Sequence, residues 1–356
     1  MSILVFPSAV DAASRFAQEA REWGRRVVGA SSLAVDPHAN KFDAWEHLPF
    51  IGDPLFFDAL EKLVARPGIT ALFTPHAPTY HLLAAELPRR LPELKLMGAG
   101  PFRRQMDRVH LALAEAEQGL SMASDFAGKP SPLPVEFLAG LLLQVETVHG
   151  ECAREKILAV CGILPFAPQG DIVEIGSLYG KSSYVLNRVA AYYNVGATLC
   201  VDPWDLGLSV QHDAPEHIQN ASEGWDWDTV YRGFLVSMLA CTAAPFNYIK
   251  ATSATASKAY SAKPGSVTSR EFGTTPIAGK ISVLHLDGNH DQSAVAEDFA
   301  LWSPHILPGG WIVFDDYNWP HGDGPRTVAD RVIREYGSRI QRHFVAGGAM
   351  FIELAP

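Results

Sequence analysis

Two stretches of this chain hold residues whose types and spacing could do chemistry. In the first, D-I-V-E-I from residue 171 runs into G-S-L-Y-G-K-S, and T-L-C-V-D closes on Asp202 after a helix-length gap. A short apolar strand ends in an acid, turns on Gly176 and Gly180, and gives way to a helix. Two carboxylates, Glu174 and Asp202, then stand at the tips of adjacent strands beside a tight glycine turn. That is a socket for an adenosine carrying a positively charged tail, and it points to S-adenosylmethionine. Small residues let the backbone approach the ligand, Asp202 is expected to accept both ribose hydroxyls as a bidentate pair, and the cationic methionine end suits nearby carboxylates. Glu174, Gly176, Ser177, Gly180, Ser182 and Asp202 are the expected cofactor contacts, with Asp287 joining them from the second stretch.

The second stretch reads L-H-L-D-G-N-H-D-Q-S and then L-P-G-G-W-I-V-F-D-D-Y. Asp287 closes one strand and Asp315-Asp316 close the next. If the strands are neighbours, three carboxylates meet at one rim, and a hard divalent cation is the usual compensation for unpaired charges so close. Asp287, Asp315 and Asp316 are therefore the expected metal ligands, and an all-oxygen set favours Mg²⁺ or Mn²⁺ over zinc. His290, three residues past Asp287, is the expected general base, since an imidazole titrates near neutral pH. The metal would stabilise the alkoxide that forms as the base takes the acceptor's proton.

Rival readings are weaker. G-S-L-Y-G-K-S resembles a P-loop, but three residues rather than four separate its glycines, and Glu174 would repel a triphosphate. G-N-H-D occurs in metallophosphoesterases, yet of their other motifs only Asp36-Pro37-His38 has a counterpart. The bland alternatives are that Asp315-Asp316 cap a turn before Asn318 and Pro320, and that His290 is a hydrogen-bonded loop histidine. Lys181 is read as opening a helix rather than touching ligand. Trp225, Trp227, Tyr231 and Phe234 suit either lid packing or a stacking platform for the acceptor.

These residues need a scaffold. Strand patterns at Asp171–Gly176, Thr198–Asp202, Tyr248–Ala251, Ser282–Asp287 and Trp311–Asp315 alternate mostly with helices, and the tail carries a hairpin signal at Gly347-Gly348. Ligands of open α/β sheets sit beyond the carboxyl ends of the strands, where the acids fall. The first hundred residues alternate strand and helix as well, at Ser2–Phe6, Val10–Trp23, Arg26–Ala30, Pro54–Ala65, Ile69–Thr74, Tyr80–Arg90 and Leu94–Met97. The expected class is α/β: a smaller N-terminal Rossmann-like domain over 1–100, a helical linker region over 101–150, and a Rossmann-like catalytic domain over 151–356. The turn P-S-A-V-D-A-A after the first strand lacks the glycine that a bound diphosphate would need.

At 356 residues the chain has room for both domains. A net charge of −10 argues against a nonspecific nucleic-acid binder. No apolar run is long enough to cross a bilayer, and M-S-I-L-V-F-P lacks the basic region of a signal peptide. Cys152, Cys161, Cys200 and Cys241 form no C-x-x-C and read as reduced thiols of a cytoplasmic protein.

Together E-I-G-S-L-Y-G-K-S, V-D-P-W, L-D-G-N-H and P-G-G-W-I-V-F-D-D-Y resemble the class I, metal-dependent O-methyltransferases that tailor antibiotic sugars, the macrocin O-methyltransferase family. The resemblance runs from about Val160 to the C-terminus. It implies Asp287, Asp315 and Asp316 on the metal, His290 as base, and Glu174, Gly176 and Asp202 at the cofactor. The segments Trp204–Phe246 and Lys263–Lys280 are longer than the resemblance requires and read as lids. The N-terminal stretch, with H-L-P-F-I-G-D-P-L-F-F-D-A-L, resembles the domain preceding the catalytic part of ATP-grasp ligases, and is expected to serve acceptor recognition or the subunit contacts of a homo-oligomer. The expected activity is methyl transfer from S-adenosylmethionine to a hydroxyl of a sugar, polyol or phenol. N-methylation and a non-catalytic cofactor-binding or assembly protein are the alternatives.

Overall fold

The computed structural model describes residues 2–66, 68–221, 223–262 and 265–356. The chain divides into two units, Met1–Leu111 and Ala112–Pro356, the division falling inside the helix Pro101–Ala127.

In the first unit five parallel strands, β1 (Ser2–Val5), β2 (Arg26–Ser31), β3 (Ala44–His47), β4 (Ile69–Phe73) and β5 (Lys95–Leu96), lie in the order β3-β2-β1-β4-β5. Alternation along β1 covers both faces. Leu4 packs with Phe56 and Leu60 of helix Phe56–Val64, while Ile3 and Val5 pack with Phe16 and Ala17 of helix Asp11–Glu22. The edge strand β3 was not expected, because A-W-E-H has no apolar alternation to announce it. Beyond the carboxyl ends of β1 and β2, buried Asp36 accepts hydrogen bonds from Ser8 Oγ, from His38 N at 2.7 Å and from Trp45 Nε1 at 3.0 Å.

The second unit carries β6 (Asp171–Ile175), β7 (Thr198–Asp202), β8 (Phe246–Lys250), β9 (Ser266–Ser269), β10 (Gly273–Pro276), β11 (Ile281–Leu286), β12 (Ile306–Phe314), β13 (Ile340–Ala346) and β14 (Ala349–Leu354). Its main sheet has the order β13-β14-β12-β11-β6-β7-β8, parallel except for the terminal hairpin. β6, β7 and β11 are buried along their whole length, as strands covered on both faces must be. This is the Rossmann-like layout that the strand pattern implied.

Residues 112–150, read above as part of a linker region, contribute to the core. Ala112, Ala116 and Ala123 of the long helix, and Leu138, Leu141 and Val145 of helix Val135–Val145, join Leu158 and Cys161 in one apolar cluster. A Cβ on Gly162 would collide with the Ala123 carbonyl, so only glycine lets the helix Arg154–Ile163 cross the long helix this closely. That crossing sets the position of Lys156.

Lys263–Lys280 does not form a lid. Residues 263 and 264 lie outside the described residues, and the rest makes the β9–β10 hairpin at the opposite ends of the strands. Asn247 Nδ2 donates to the carbonyls of Val267 and Gly273, both at 2.9 Å, and Asp171 at the start of β6 accepts from Ala278 N and Gly279 N. All four cysteines are free thiols, and no helix among the described residues is long and apolar enough to cross a membrane.

Candidate active site

Strand register sets the site. Glu174 on β6 faces His285 on β11. One step further on, Asp287 N donates to Ile175 O at 2.8 Å and Asp315 N to Leu286 O at 2.9 Å, so two acids leave adjacent strands side by side. Gly176 has φ +82°, and a Cβ on it would collide with the Asp287 carbonyl. The turns after β6 and β11 can touch only because that residue is glycine. Beyond these ends opens a crevice of about 880 Å³, within the range of small-molecule sites. Gly176, Ser177, Ser182, Asp202, Asp287, His290, Asp315 and Asp316 all line it, and so does Lys181, which both opens its helix and faces the crevice.

Two expected cofactor contacts lie elsewhere. Glu174 is fully buried behind the turn, where it accepts from Ser177 Oγ at 2.8 Å and from Ser183 Oγ, and sits 3.0 Å from His285 Nδ1. Burial works to raise its pKa, but His285 and the serine hydroxyls outweigh it and leave the carboxyl lowered. Glu174 therefore braces the turn rather than facing a ligand. Gly180 caps helix Lys181–Tyr192 at φ +90° against Met238 and is not part of the crevice wall.

Asp202 also departs from expectation. Its Oδ2 accepts from Ser177 N at 2.8 Å and Leu178 N at 3.0 Å, and its Oδ1 from Trp204 N at 2.7 Å. With two lone pairs per oxygen, Oδ2 is filled and Oδ1 has room for one more donor. Asp202 is thus left room for one further donor, where the sequence reading expected two.

The acid rim holds a residue that the motifs did not reveal. Lys156, 2% exposed, places its ammonium against Asp315 Oδ2 and 3.7 Å from Asp287 Oδ2. His285 Nε2 lies 3.9 Å from each of the same two carboxylates. Burial opposes charge on Lys156, yet Asp315 and Asp287 hold its pKa well above the ordinary value. Burial likewise works to raise Asp315, but the Lys156 ammonium against it holds it far below the carboxylate range. Asp287 is pushed up by burial and by the Asp315 charge. The three carboxylates are thus not unpaired, and Asp315 is committed to Lys156. A lysine opening an otherwise apolar run, K-I-L-A-V-C-G-I-L, was the only sequence signal for it. His285 shows up only as a polar residue within the strand I-S-V-L-H-L.

His290 is 12% exposed and turns Nε2 to within 3.1 Å of Asp316 Oδ2. Trp319 packs edge-on against the imidazole, with ring centroids 4.9 Å apart. Burial lowers the His290 pKa and raises that of Asp316. Among the described residues, one donor atom each of Asp287, His290 and Asp316 lie within 4.8 Å of one another, and so do those of His285, Asp287 and Asp315. Trp225 and Trp227, ring centroids 5.6 Å apart, line the crevice, whereas Tyr231 and Phe234 pack on Trp204.

Residues 173–317 match the family model of a methyltransferase domain. This part of the chain is a methyltransferase domain. It runs from within β6 to the residues just past β12 and takes in the rim's acids, His285 and His290, but not Lys156. A stretch of 37 residues is 46% identical to an uncharacterized protein of Acanthamoeba polyphaga mimivirus, covering 10% of this chain and 17% of that one. Among solved structures, the calicheamicin methyltransferase CalS11 is 11% identical with a TM-score of 0.40, over 67% of this chain and 91% of its own. The O-methyltransferase TomG of Streptomyces achromogenes, in complex with SAM, is 15% identical with a TM-score of 0.35, over 69% of this chain and 90% of its own. The MycE methyltransferase of the mycinamycin pathway, in complex with Mg and SAH, is 17% identical with a TM-score of 0.31, over 52% of this chain and 45% of its own.

Proposed function

We propose that the protein transfers the methyl group of S-adenosylmethionine to a hydroxyl of a small sugar, polyol or phenol. The observation that carries this reading is the His290–Asp316 pair opening into the same crevice as the glycine turn and the free lone pair of Asp202 Oδ1. The crevice has room for an adenosine-sized ligand and an acceptor together. Ser177, Ser182 and Asp202 are the polar residues that would hold the methyl donor, and the acid rim suits its cationic end.

The residues fit a divalent cation with a smaller donor set than the three carboxylates expected. Asp287, Asp315 and Asp316 all line the crevice, but Asp315 is committed to Lys156, which leaves Asp287 and Asp316 as donors, and Mg²⁺ is commonly held by one or two carboxylates and waters. When bound there, such an ion polarises the acceptor oxygen and stabilises its alkoxide. With Asp316 holding Nε2–H, His290 Nδ1, which has no partner among the described residues, is the nitrogen that removes the hydroxyl proton, and the Asp316 carboxylate stabilises the imidazolium that results. S-adenosylmethionine held by Ser177, Ser182 and Asp202 would supply the methyl group to that oxygen, the sulfonium sulfur keeping the electron pair of the broken carbon–sulfur bond to give S-adenosylhomocysteine. A neutral His290, favoured by its burial, is the form able to accept the proton.

Calorimetric titration of the chelator-stripped protein with S-adenosylmethionine, with and without Mg²⁺, tests the reading. Cofactor binding without metal, followed by Mg²⁺-stimulated methylation in a screen of sugars and catechols, is expected. Failure to bind S-adenosylmethionine under either condition overturns the proposal.

A further inference from the structure

The long segment after β7 is fastened to the loop that carries His290, and the fastening is specific. Asn289 Nδ2 donates to the carbonyls of Leu208 at 3.2 Å and Val210 at 2.8 Å. Asp291 answers from the other side of His290. Its Oδ2 accepts from His212 N at 3.0 Å and lies 3.1 Å from His212 Nδ1, and its Oδ1 accepts from Asp213 N at 2.8 Å. Asp213 Oδ2 returns the link by accepting from Gln292 N at 2.9 Å, and Asp291 N donates to Asn289 Oδ1 at 2.9 Å. The two side chains that flank His290 thus hold two consecutive stretches of a segment about 80 residues away in sequence.

Three features indicate that this is more than loop packing. Asp291 is 8% exposed although most of its partners are backbone amides of an otherwise exposed segment, so its carboxylate has been buried in order to bind them. Leu208, Ser209, Gln211, Ile218 and Ala221 of that segment line the crevice, which makes it a wall of the site. Between the Asn289 and Asp291 attachments, the buried amide oxygen of Gln211 has no hydrogen-bond partner among the described residues. The attachments therefore hold a residue of the crevice wall whose side-chain oxygen nothing among the described residues satisfies.

We infer that Asp291 is a positioning residue: with Asn289 it latches residues 208–213 over the crevice, so that cover and base are placed as one unit. Release of the latch opens the path to the methyl donor and frees the His290 loop in the same event. The carboxylate is suited to this because charge-assisted hydrogen bonds from backbone amides are stronger than neutral ones. The ligand-exchange part of this inference rests on the proposed binding of S-adenosylmethionine; the latch itself does not.

The test uses the full chain. Hydrogen exchange on the ligand-free protein reads the amides of His212 and Asp213 directly. Asp291→Ala is expected to speed their exchange at least tenfold while the amides of β6 and β11 stay protected, and Asp291→Asn, which keeps one oxygen acceptor, is expected to fall between. If Asp291→Ala also loses protection in β6 and β11, Asn289→Ala, which removes the Leu208 and Val210 attachments and keeps the Asp291 carboxylate on its amide partners, is read in its place. Stopped-flow tryptophan fluorescence with S-adenosylmethionine gives the second readout. Removing the latch should raise the association and dissociation rates together, by several-fold each, with a smaller change in their ratio. Unchanged exchange at His212 and Asp213 in both alanine variants overturns the inference. So does a faster dissociation with an unaltered association rate, because a plain ligand contact acts in that way. If the wild-type protein fails to bind S-adenosylmethionine, the proposed function falls, and the exchange result still decides the latch.

Discussion

The Lys156 ammonium rests against the Asp315 carboxylate and stands 3.7 Å from Asp287, inside a site where nearly every other charge is negative. Removing one member of a buried pair strands the other, which costs about 3–5 kcal/mol. Lys156→Met is therefore expected to lower the unfolding free energy of the second unit by that amount, measured by denaturant titration. The double change Lys156→Met with Asp315→Asn should recover a large part of it, since no lone charge remains. Equal losses in the single and double variants would show that the two groups do not interact.

His290→Ala is expected to keep cofactor binding while lowering the methylation rate by about 10²–10⁴-fold, the usual contribution of a general base. The sign of the pH effect follows from burial. Burial lowers the His290 pKa, and only the neutral ring accepts a proton, so the rate should stay level as pH falls past 6.5 and decline only below it. A kcat/KM profile against pH reads this limb. An acid limb at or above 6.5, or one that survives in the alanine variant, assigns the base to another group.

How far these features could be read in advance depends on the range of the contacts. Gly176, Asp202, Asp287 and Asp315-Asp316 were legible because each closes a strand, and in an open parallel sheet strand ends converge without further information. The parallel strands and terminal hairpin followed from the same periodicity. Lys156 meets Asp315 across 159 residues, and the apolar run that it opens, K-I-L-A-V, does not by itself name a partner for a buried ammonium. The inward turn of Glu174 depends on the register of β6 against β11, which pairs it with His285; composition carries no trace of that register. Asp202 was placed correctly at its strand end, but the competing claim of the Ser177 and Leu178 amides on its Oδ2 depends on the turn geometry.

The division of labour among the acids can be separated by metal binding. Mn²⁺ binding, followed by electron paramagnetic resonance, is expected to weaken at least tenfold in Asp287→Asn and in Asp316→Asn. Asp315→Asn should retain it, losing stability instead because Lys156 is left without its partner. Stripping the wild type with chelator should slow methylation and leave cofactor affinity within about threefold. Loss of Mn²⁺ in Asp315→Asn without loss of stability would restore the three-carboxylate set.

Gly176→Ala addresses the turn. The residue has φ +82°, and an added Cβ would strike the Asp287 carbonyl, so strain and collision add. The variant is expected to lose about 2–4 kcal/mol of stability and, in whatever fraction folds, to bind S-adenosylmethionine at least tenfold more weakly. Calorimetry on the folded fraction checks the second figure. Wild-type affinity there would mean that the turn does not form part of the cofactor site.

Asp298, partly covered on the floor of the crevice, is pushed up to about 6, chiefly by burial. A folded-state value above the unfolded 3.8 means that folding favours the protonated form. The stability this contributes is complete below the unfolded value and is lost as pH rises through about 6. The shift corresponds to a penalty of at most about 3 kcal/mol at neutral pH. Asp298→Asn, which stays neutral, should therefore gain on the wild type as pH rises from 4 to 7.5 and hold a constant advantage above that. Thermal or denaturant unfolding of both proteins at several pH values gives the difference directly. A difference that stays flat across this interval, or that shrinks with rising pH, would show that the carboxyl is already ionised in the folded state at low pH.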